Sequence, residues 1–322
     1  MGLAFPRLLG DIGGTNARWG WQAAAGAAPL HISVLQCADN PSPVESAQQY
    51  LKMHGLPSPK AACLGVATAV KGDLVQFTNS PWSFSIQEFK STLLLDKCLV
   101  INDFTALALS LPALSSTDLR AMGGGVGLPN STIGLLGPGT GLGVSGLVPD
   151  RRGGWTALSG EGGHVTLSAT SPFEAALIEW LGNRYGHVSA ERVLSGQGLV
   201  NLYEAICAVS AQPPLTLRPQ DISQMGGNGS DTQCKQTIEV FTAFLGNVAG
   251  NLALTLGAQG GLYIGGGIVP QLGAAFDELL FRRKFEDKGR FSQYLESIPS
   301  WLITASTPAL IGAAQALDAL EN

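Results

Sequence analysis

The sequence predicts a two-lobed α/β protein built from duplicated β-β-β-α-β-α units with a central cleft. Three observations predict it. Two glycine-rich turns, at 8–18 (LLGDIGGTNAR) and 133–144 (IGLLGPGTGLGV), each begin one half of the chain between apolar, strand-like residues. The same order of strands and helices follows each turn. At 322 residues and 33.4 kDa the chain is long for one hydrophobic core and suits two.

In the first half, strands are expected at 7–13 and 17–22, joined by Gly13-Gly14-Thr15-Asn16, and a third at 31–37. Residues 43–54 read as a helix with Ser42 as its cap and Pro43 in its first turn. The apolar run 61–70 reads as a buried strand and 74–78 as a short one. A helix at 86–94 capped by Ser85, a buried strand at 98–101 and a helix at 104–114 complete the unit. The second half repeats the order, with a hairpin of 133–136 and 142–148 and a third strand at 155–158. Helices follow at 172–183, 199–209 and 237–256, then strands at 262–264 and 301–304. An apolar helix at 308–320 ends the chain.

Composition narrows the function classes. Hydrophobic residues make up 45% and charged ones 13%, against roughly 25% charged in average proteins, as befits a well-buried enzyme. Glycine, at 42 residues, is close to twice its usual share of ~7%. A net charge of -5 and a pI near 5.4 argue against a nucleic-acid surface, and no basic run exceeds Arg282-Arg283-Lys284. A polyphosphate ligand would then need backbone amides and a metal ion. Five cysteines, odd in number and without C-x-x-C spacing, predict neither a disulfide framework nor a zinc site, but buried thiols in a reducing cytoplasm. No basic stretch precedes an apolar one at the start, so no signal peptide is expected. The stretch 240–276 carries no charge and has the length of a membrane span. Asn247, Asn251, Gln259 and several glycines interrupt it, so it reads as a buried helix followed by a buried strand, with no membrane partner.

The chemistry gathers at a few places. A turn without side chains exposes consecutive backbone N–H groups and binds anions. Asp11 stands just ahead of Gly13, Gly14, Thr15 and Asn16, where a carboxylate suits a Mg²⁺ held through water; an ordinary G-G hairpin is the alternative. Gly139, Thr140 and Gly141 form the second turn. Its G-x-G-x-x-G (141–146) lacks the helix a dinucleotide fold needs, since 144–148 alternate like a strand, and no P-loop motif occurs. Gly265, Gly266 and Gly267 follow a strand and leave room for a flat adenine ring, or form a plain strand-to-helix turn. Asn102 and Asp103 end a buried strand, where open α/β sheets place ligands; Asp103 is a general-base candidate or a cap of the helix at Phe104. Glu161 and His164 lie in a glycine-lined loop suited to sugar hydroxyls. Glu191 has an ion pair with Arg192 or Arg184 as its alternative role.

Taken in order, DIGGTNAR, LVINDFTA, GPGTGLG, SGEGGHV, HVSAERVLSGQGLVNLY and YIGGGIVP resemble the bacterial glucokinases of the hexokinase/actin-like superfamily over essentially the whole chain. The resemblance implies the actin-like (ribonuclease H-like) fold and transfer of the ATP γ-phosphoryl to the 6-hydroxyl of glucose with Mg²⁺. It implies glucose contacts at Asn102, Asp103, Glu161, His164 and Glu191, with Asp103 as catalytic base. It further implies phosphate loops at Asp11–Thr15 and Gly139–Gly141 and an adenosine loop at 265–267. A small domain of 1–114 with 305–322, a large domain of 115–304 and a homodimer are expected.

The chain departs from the family at Ala69, where proline is common, and lacks the cysteine-rich zinc motif of the related repressor/kinase group. An ATP-driven switch or filament protein on the same fold would not need the sugar residues. A DNA-binding regulator would need a helix pair before the first strand, for which no room is expected. Closure of the lobes on sugar binding is expected to exclude water from the phosphoryl group.

Overall fold

The computed structural model describes residues 4–77 and 82–320. The chain divides into two compact units, one of Met1–Ser115, Asp150–Ser159 and Ala305–Asn322, the other of Ser116–Pro149 and Gly160–Thr304. Relative to the expected boundaries, the short segment Asp150–Ser159 falls with the first unit.

In the first unit, β1 (Arg7–Ile12) and β2 (Asn16–Gln22) form an antiparallel hairpin, with Arg7 opposite Gln22 and Ile12 opposite Ala17. β3 (Leu30–Gln36) adds antiparallel to β2. α1 (Pro43–Met53) starts as expected: the Ser42 hydroxyl accepts the Val44 N–H, and the missing N–H of Pro43 costs nothing in the first turn. β4 (Ala61–Val66) runs parallel to β1 and is buried throughout. β5 (Leu74–Gln76) pairs with the unanticipated β6 (Ser83–Ser85); Thr78, the end of the expected strand, lies outside the described residues.

α2 (Ile86–Thr92) is capped by Ser85, which accepts the Glu88 N–H. It stops before its expected end because Leu94 takes φ +55°, outside helical space. β7 (Lys97–Asn102) runs parallel to β4 and leads into α3 (Asp103–Ser110). α3 was expected to reach residue 114. Pro112 cannot donate into the helix, and the chain tightens into a 3-10 turn at Leu111–Ala113. The sheet order is β3-β2-β1-β4-β7.

The second unit opens with β8 (Leu119–Gly123), then the hairpin of β9 (Ile133–Pro138) and β10 (Leu142–Pro149). β11 (Trp155–Ser159) belongs to the first unit, where the hydroxyls of Ser159 and Thr105 on α3 lie 3.3 Å apart. Next come α4 (Pro172–Tyr185), α5 (Gly196–Val209), α6 (Pro219–Gly227) and α7 (Thr232–Leu256). They lead to β12 (Gly261–Ile264), α8 (Ile268–Leu272), α9 (Glu278–Glu286), α10 (Ser292–Glu296) and β13 (Ser300–Ile303). Finally α11 (Pro308–Ala319) returns to the first unit.

Within the second unit the strand order is β10-β9-β12-β13-β8, with β9, β12 and β13 parallel and β8 antiparallel. Each unit thus extends a hairpin by two parallel strands, β2-β1-β4-β7 in one and β10-β9-β12-β13 in the other. This is the duplication read from the two glycine turns.

Period-2 alternation divides the core of the first unit. Leu8, Ile12, Ala62, Leu64 and Val66 join Trp19, Tyr50 and Phe89 on one side. Leu9, Ala61 and Cys63 meet Leu310, Ala313 and Leu317 of α11 on the other. α11 crosses α3 closely enough that a Cβ on Gly312 would stand 1.6 Å from the Ala106 carbonyl oxygen.

In the second unit α7 is long and apolar enough to cross a membrane, yet 78% of its most apolar window is buried inside the fold. The charge-free stretch is therefore a core helix followed by the buried strand β12. Nor is Arg282-Arg283-Lys284 a basic patch. It lies on α9, where Arg282 is buried, donates to Glu286 and Ser300, and covers the Phe285 ring.

Candidate functional site

The β1–β2 turn of the first unit is closed by the Gly13 N–H donating to the Asn16 carbonyl at 2.9 Å. Its flank is held by the Cys37 N–H on the Thr15 carbonyl, 2.8 Å, and by Gln36 Nε2 on Asn16 Oδ1, 2.7 Å. Gly14 and Thr15 lie outside the strands, and their amides donate to no backbone carbonyl among the described residues. Two donors thus remain for an anion. The Asn16 side chain, by contrast, is already engaged.

Asp11 faces Arg18 across the hairpin, and Arg18 Nη1 donates to its Oδ2 at 2.6 Å. Burial pushes the Asp11 carboxyl up, and the Arg18 guanidinium opposes that rise. Among the described residues no group of three or more His, Cys, Asp or Glu side chains could hold a metal. The fit to Mg²⁺ is therefore to an ion that keeps its waters: Arg18 occupies Oδ2, and Oδ1 is the oxygen that fits as an outer acceptor.

Asn102 and Asp103 stand where β7 passes into α3, and the structure divides their roles. Asn102 is the cap: its Oδ1 accepts the N–H groups of Phe104 at 2.9 Å and Thr105 at 3.3 Å. Its Nδ2 makes one long contact, 3.5 Å, to the Thr68 carbonyl. Asp103 Oδ1 accepts the Phe104 N–H at 2.9 Å, and the Asn102 side chain also hydrogen-bonds to its carboxylate. The capping role considered for Asp103 thus belongs to Asn102. Burial raises the Asp103 carboxyl to about 6; the Phe104 hydrogen bond opposes this, and the charge of Asp11 adds to it.

The second unit builds a matching turn. The Gly139 N–H donates to the Gly141 carbonyl at 2.8 Å, and the Gly196 N–H donates to the Gly139 carbonyl, also at 2.8 Å. The first turn of α5 therefore lies against the loop, with its positive end directed at it. Gly266 has φ +76°, and a Cβ there would stand 2.3 Å from the Pro138 carbonyl oxygen, so only glycine fits. Gly139, Thr140 and Gly267 line one cavity of about 860 Å³ together with Gln197, Gln220, Ser223, Gln224 and Gln271. Its lining carries no charged side chain. The sequence reading missed the α6 contributors because it missed α6 itself.

His164 and Glu191 come together in the same unit, with Glu161 just ahead of them in the chain. Glu161 precedes the short 3-10 turn Gly162–His164, and both Glu161 and His164 are exposed. Residues 163–167 are laced to 188–191 by three bonds: Glu191 N–H to Gly163 O at 2.8 Å, Ala190 N–H to Val165 O at 2.9 Å, and Leu167 N–H to Val188 O at 3.0 Å. This places His164 Nε2 4.0 Å from Glu191 Oε1. The arginine pairing considered for Glu191 is not formed. Arg184 pairs with Glu204, Arg192 lies over the Tyr185 ring, and Glu191 Oε2 accepts the Leu142 N–H at 2.8 Å.

Comparison with known proteins bears on what these groups do. A family model described as Glucokinase matches residues 8–320. The chain is 52% identical to a glucokinase of Aromatoleum aromaticum, over 98% of this chain and 95% of that one. It is 48% identical to a glucokinase of Chromobacterium violaceum, over 97% and 89%. A crystal structure of glucokinase from an Antarctic psychrotroph superimposes with a TM-score of 0.90 at 38% identity, covering 98% of this chain and 99% of that one.

Proposed function

The chain belongs to the glucokinase family, and from that premise we propose that Asp103 is the general base of an ATP-dependent phosphorylation of glucose at its 6-hydroxyl. The observation that carries the reading is Asp103 itself. It is a half-buried carboxylate just past the end of a parallel strand, raised to about 6 by desolvation and close enough to Asp11 to respond to its charge.

A base of that strength is mostly ionised at neutral pH yet still accepts a proton readily. The Phe104 N–H fixes Oδ1, and Oδ2 is the oxygen we assign to the sugar. In the reaction Oδ2 takes the proton of the 6-hydroxyl, the sugar oxygen forms its bond to the γ-phosphorus, and the bond to the β–γ bridging oxygen breaks, leaving ADP. The protein's remaining work is positioning and charge stabilisation. The free amides of Gly14 and Thr15, and the loop Gly139–Gly141, are the anion donors we assign to the phosphates. Gly265–Gly267 and the uncharged cavity beside them are assigned to the adenosine. Asn102 Nδ2, Glu161, His164 and Glu191 are assigned to the sugar hydroxyls. Mg²⁺, when bound, neutralises phosphate charge, and Asp11 Oδ1 is the protein atom assigned to its water shell.

Five free cysteines, four of them buried, support a cytoplasmic location. Leu30, Ile32 and Val34, exposed on alternate positions of the edge strand β3, support a homodimer; sedimentation tests it. The reaction is tested by coupled measurement of ADP release over a panel of hexoses. Glucose is expected to give the fastest turnover with glucose 6-phosphate as product. ADP release indifferent to sugar, or fastest with another hexose, contradicts the reading.

A further inference from the structure

We propose that Glu191 is a two-ended strut through which an occupied sugar site sets the phosphate loop of the second unit for the nucleotide. The inference rests on the function proposed above and adds a regulatory link to it.

One oxygen of Glu191 serves the loop. Oε2 accepts the Leu142 N–H at 2.8 Å, and Leu142 directly follows Gly141. A Cβ on Gly141 would stand 2.4 Å from that same oxygen, so the bare backbone is what admits the carboxylate. The grip has a second point, because the Gly196 N–H holds the Gly139 carbonyl at 2.8 Å. Residues 191–196 therefore hold both ends of Gly139–Leu142.

The other oxygen faces the sugar residues. Oε1 lies 4.0 Å from His164 Nε2, beyond a hydrogen bond. The backbone of Glu191 is tied to Gly163 at 2.8 Å, and the Leu142 N–H on Oε2 holds the carboxylate from its other side. A carboxylate accepts on both oxygens. A sugar hydroxyl donating to Oε1 draws charge from Oε2 and turns the plane they share. The Leu142 N–H, and the loop attached to it, must follow. By linkage the nucleotide then favours the sugar by the same factor.

The test titrates the unchanged protein with the non-hydrolysable ATP analogue AMPPNP by calorimetry, without glucose and with saturating glucose. Glucose is expected to tighten AMPPNP by at least about fivefold, the lower end of measured couplings. Glu191→Gln keeps the side chain's shape but has a single acceptor oxygen, so the ratio should fall within about twofold of unity. His164→Ala weakens glucose without touching the loop, so its ratio at saturating sugar should match the unchanged protein. If Glu191→Gln fails to fold, Glu191→Asp, one methylene too short to span both contacts, carries the same expectation. As a direct readout, glucose alone should shift the Leu142 amide resonance in the unchanged protein and not in Glu191→Gln.

A full ratio in the Glu191 variant overturns the strut, as does an equal loss of ratio in His164→Ala. Glucose binding without effect on AMPPNP overturns the coupling alone. Absence of glucose binding overturns it together with the function proposed above.

Discussion

Asp11 and Asp103 act on one another in the first unit. Burial lifts both carboxyls above their ordinary range, and the charge of Asp11 adds to the rise at Asp103. Arg18 spends its guanidinium on Asp11 at 2.6 Å and opposes the rise there, whereas hydrogen bonds from Phe104 and Asn102 oppose the rise at Asp103.

This relationship fixes a pH dependence. A protonated Asp103 cannot accept the sugar proton, so kcat/KM for glucose should fall as pH drops through about 6. In Asp11→Asn the neighbouring charge is gone, and the acid limb should move to lower pH even though turnover is reduced. Rate profiles of both proteins check this. A limb near the ordinary ~4 of a carboxylate in the unchanged protein would be inconsistent with a buried base.

The same shift makes Asp103 a stability cost. Its folded value, about 6, lies above the ~3.9 of an unfolded chain, so the unfolded state ionises first and stability is lost as pH rises between the two. Above about 6 the loss is complete. Asp103→Asn should therefore be more stable than the unchanged protein at pH 7.5, by on the order of 1–3 kcal/mol, with a smaller gain at pH 5. Urea unfolding at both pH values measures it.

Asn102 carries two duties that separate on mutation. Loss of the Oδ1 cap on Phe104 and Thr105 in Asn102→Ala should destabilise by ~1 kcal/mol. Asn102→Asp keeps a capping oxygen but has no amide donor, so it should fold nearly as well while binding glucose more weakly. Thermal unfolding and glucose titration of the pair distinguish the two duties.

Two glycines test the packing. At Gly312 an added Cβ would meet the Ala106 carbonyl oxygen at 1.6 Å, whereas at Gly182, inside α4, the nearest atom is Val188 Cγ2 at 4.0 Å. Gly312→Ala should cost roughly 1–3 kcal/mol or more by overpacking. Gly182→Ala should gain ~0.5–1 kcal/mol from helix propensity. Equal effects in chemical denaturation would disprove the close crossing of α3 and α11.

What could be read from the sequence depended on how locally each element is specified. Ser42 with Pro43 and Ser85 announced their helices because capping is a contact within one turn. The glycine turns were equally visible, since each sits between apolar strands. α6 was not, because it depends on distant partners: its nine residues hold two glycines, and Gly226 packs against the Cys234 carbonyl of α7. With α6 went Gln220, Ser223 and Gln224 of the uncharged cavity. β8 shows a single buried residue, Met122, and no alternation to betray it. The resemblance pointed to Glu191, but its bond to Leu142 joins residues 49 positions apart, and no spacing rule reaches that far.

The turnover of Asp103→Asn with saturating glucose and ATP tests the role of Asp103 most directly. The variant keeps the side chain's shape and an acceptor for the Phe104 N–H, so it should fold and bind glucose while kcat falls by about 10²–10⁴. A kcat near that of the unchanged protein would contradict the assignment of Asp103 as the base.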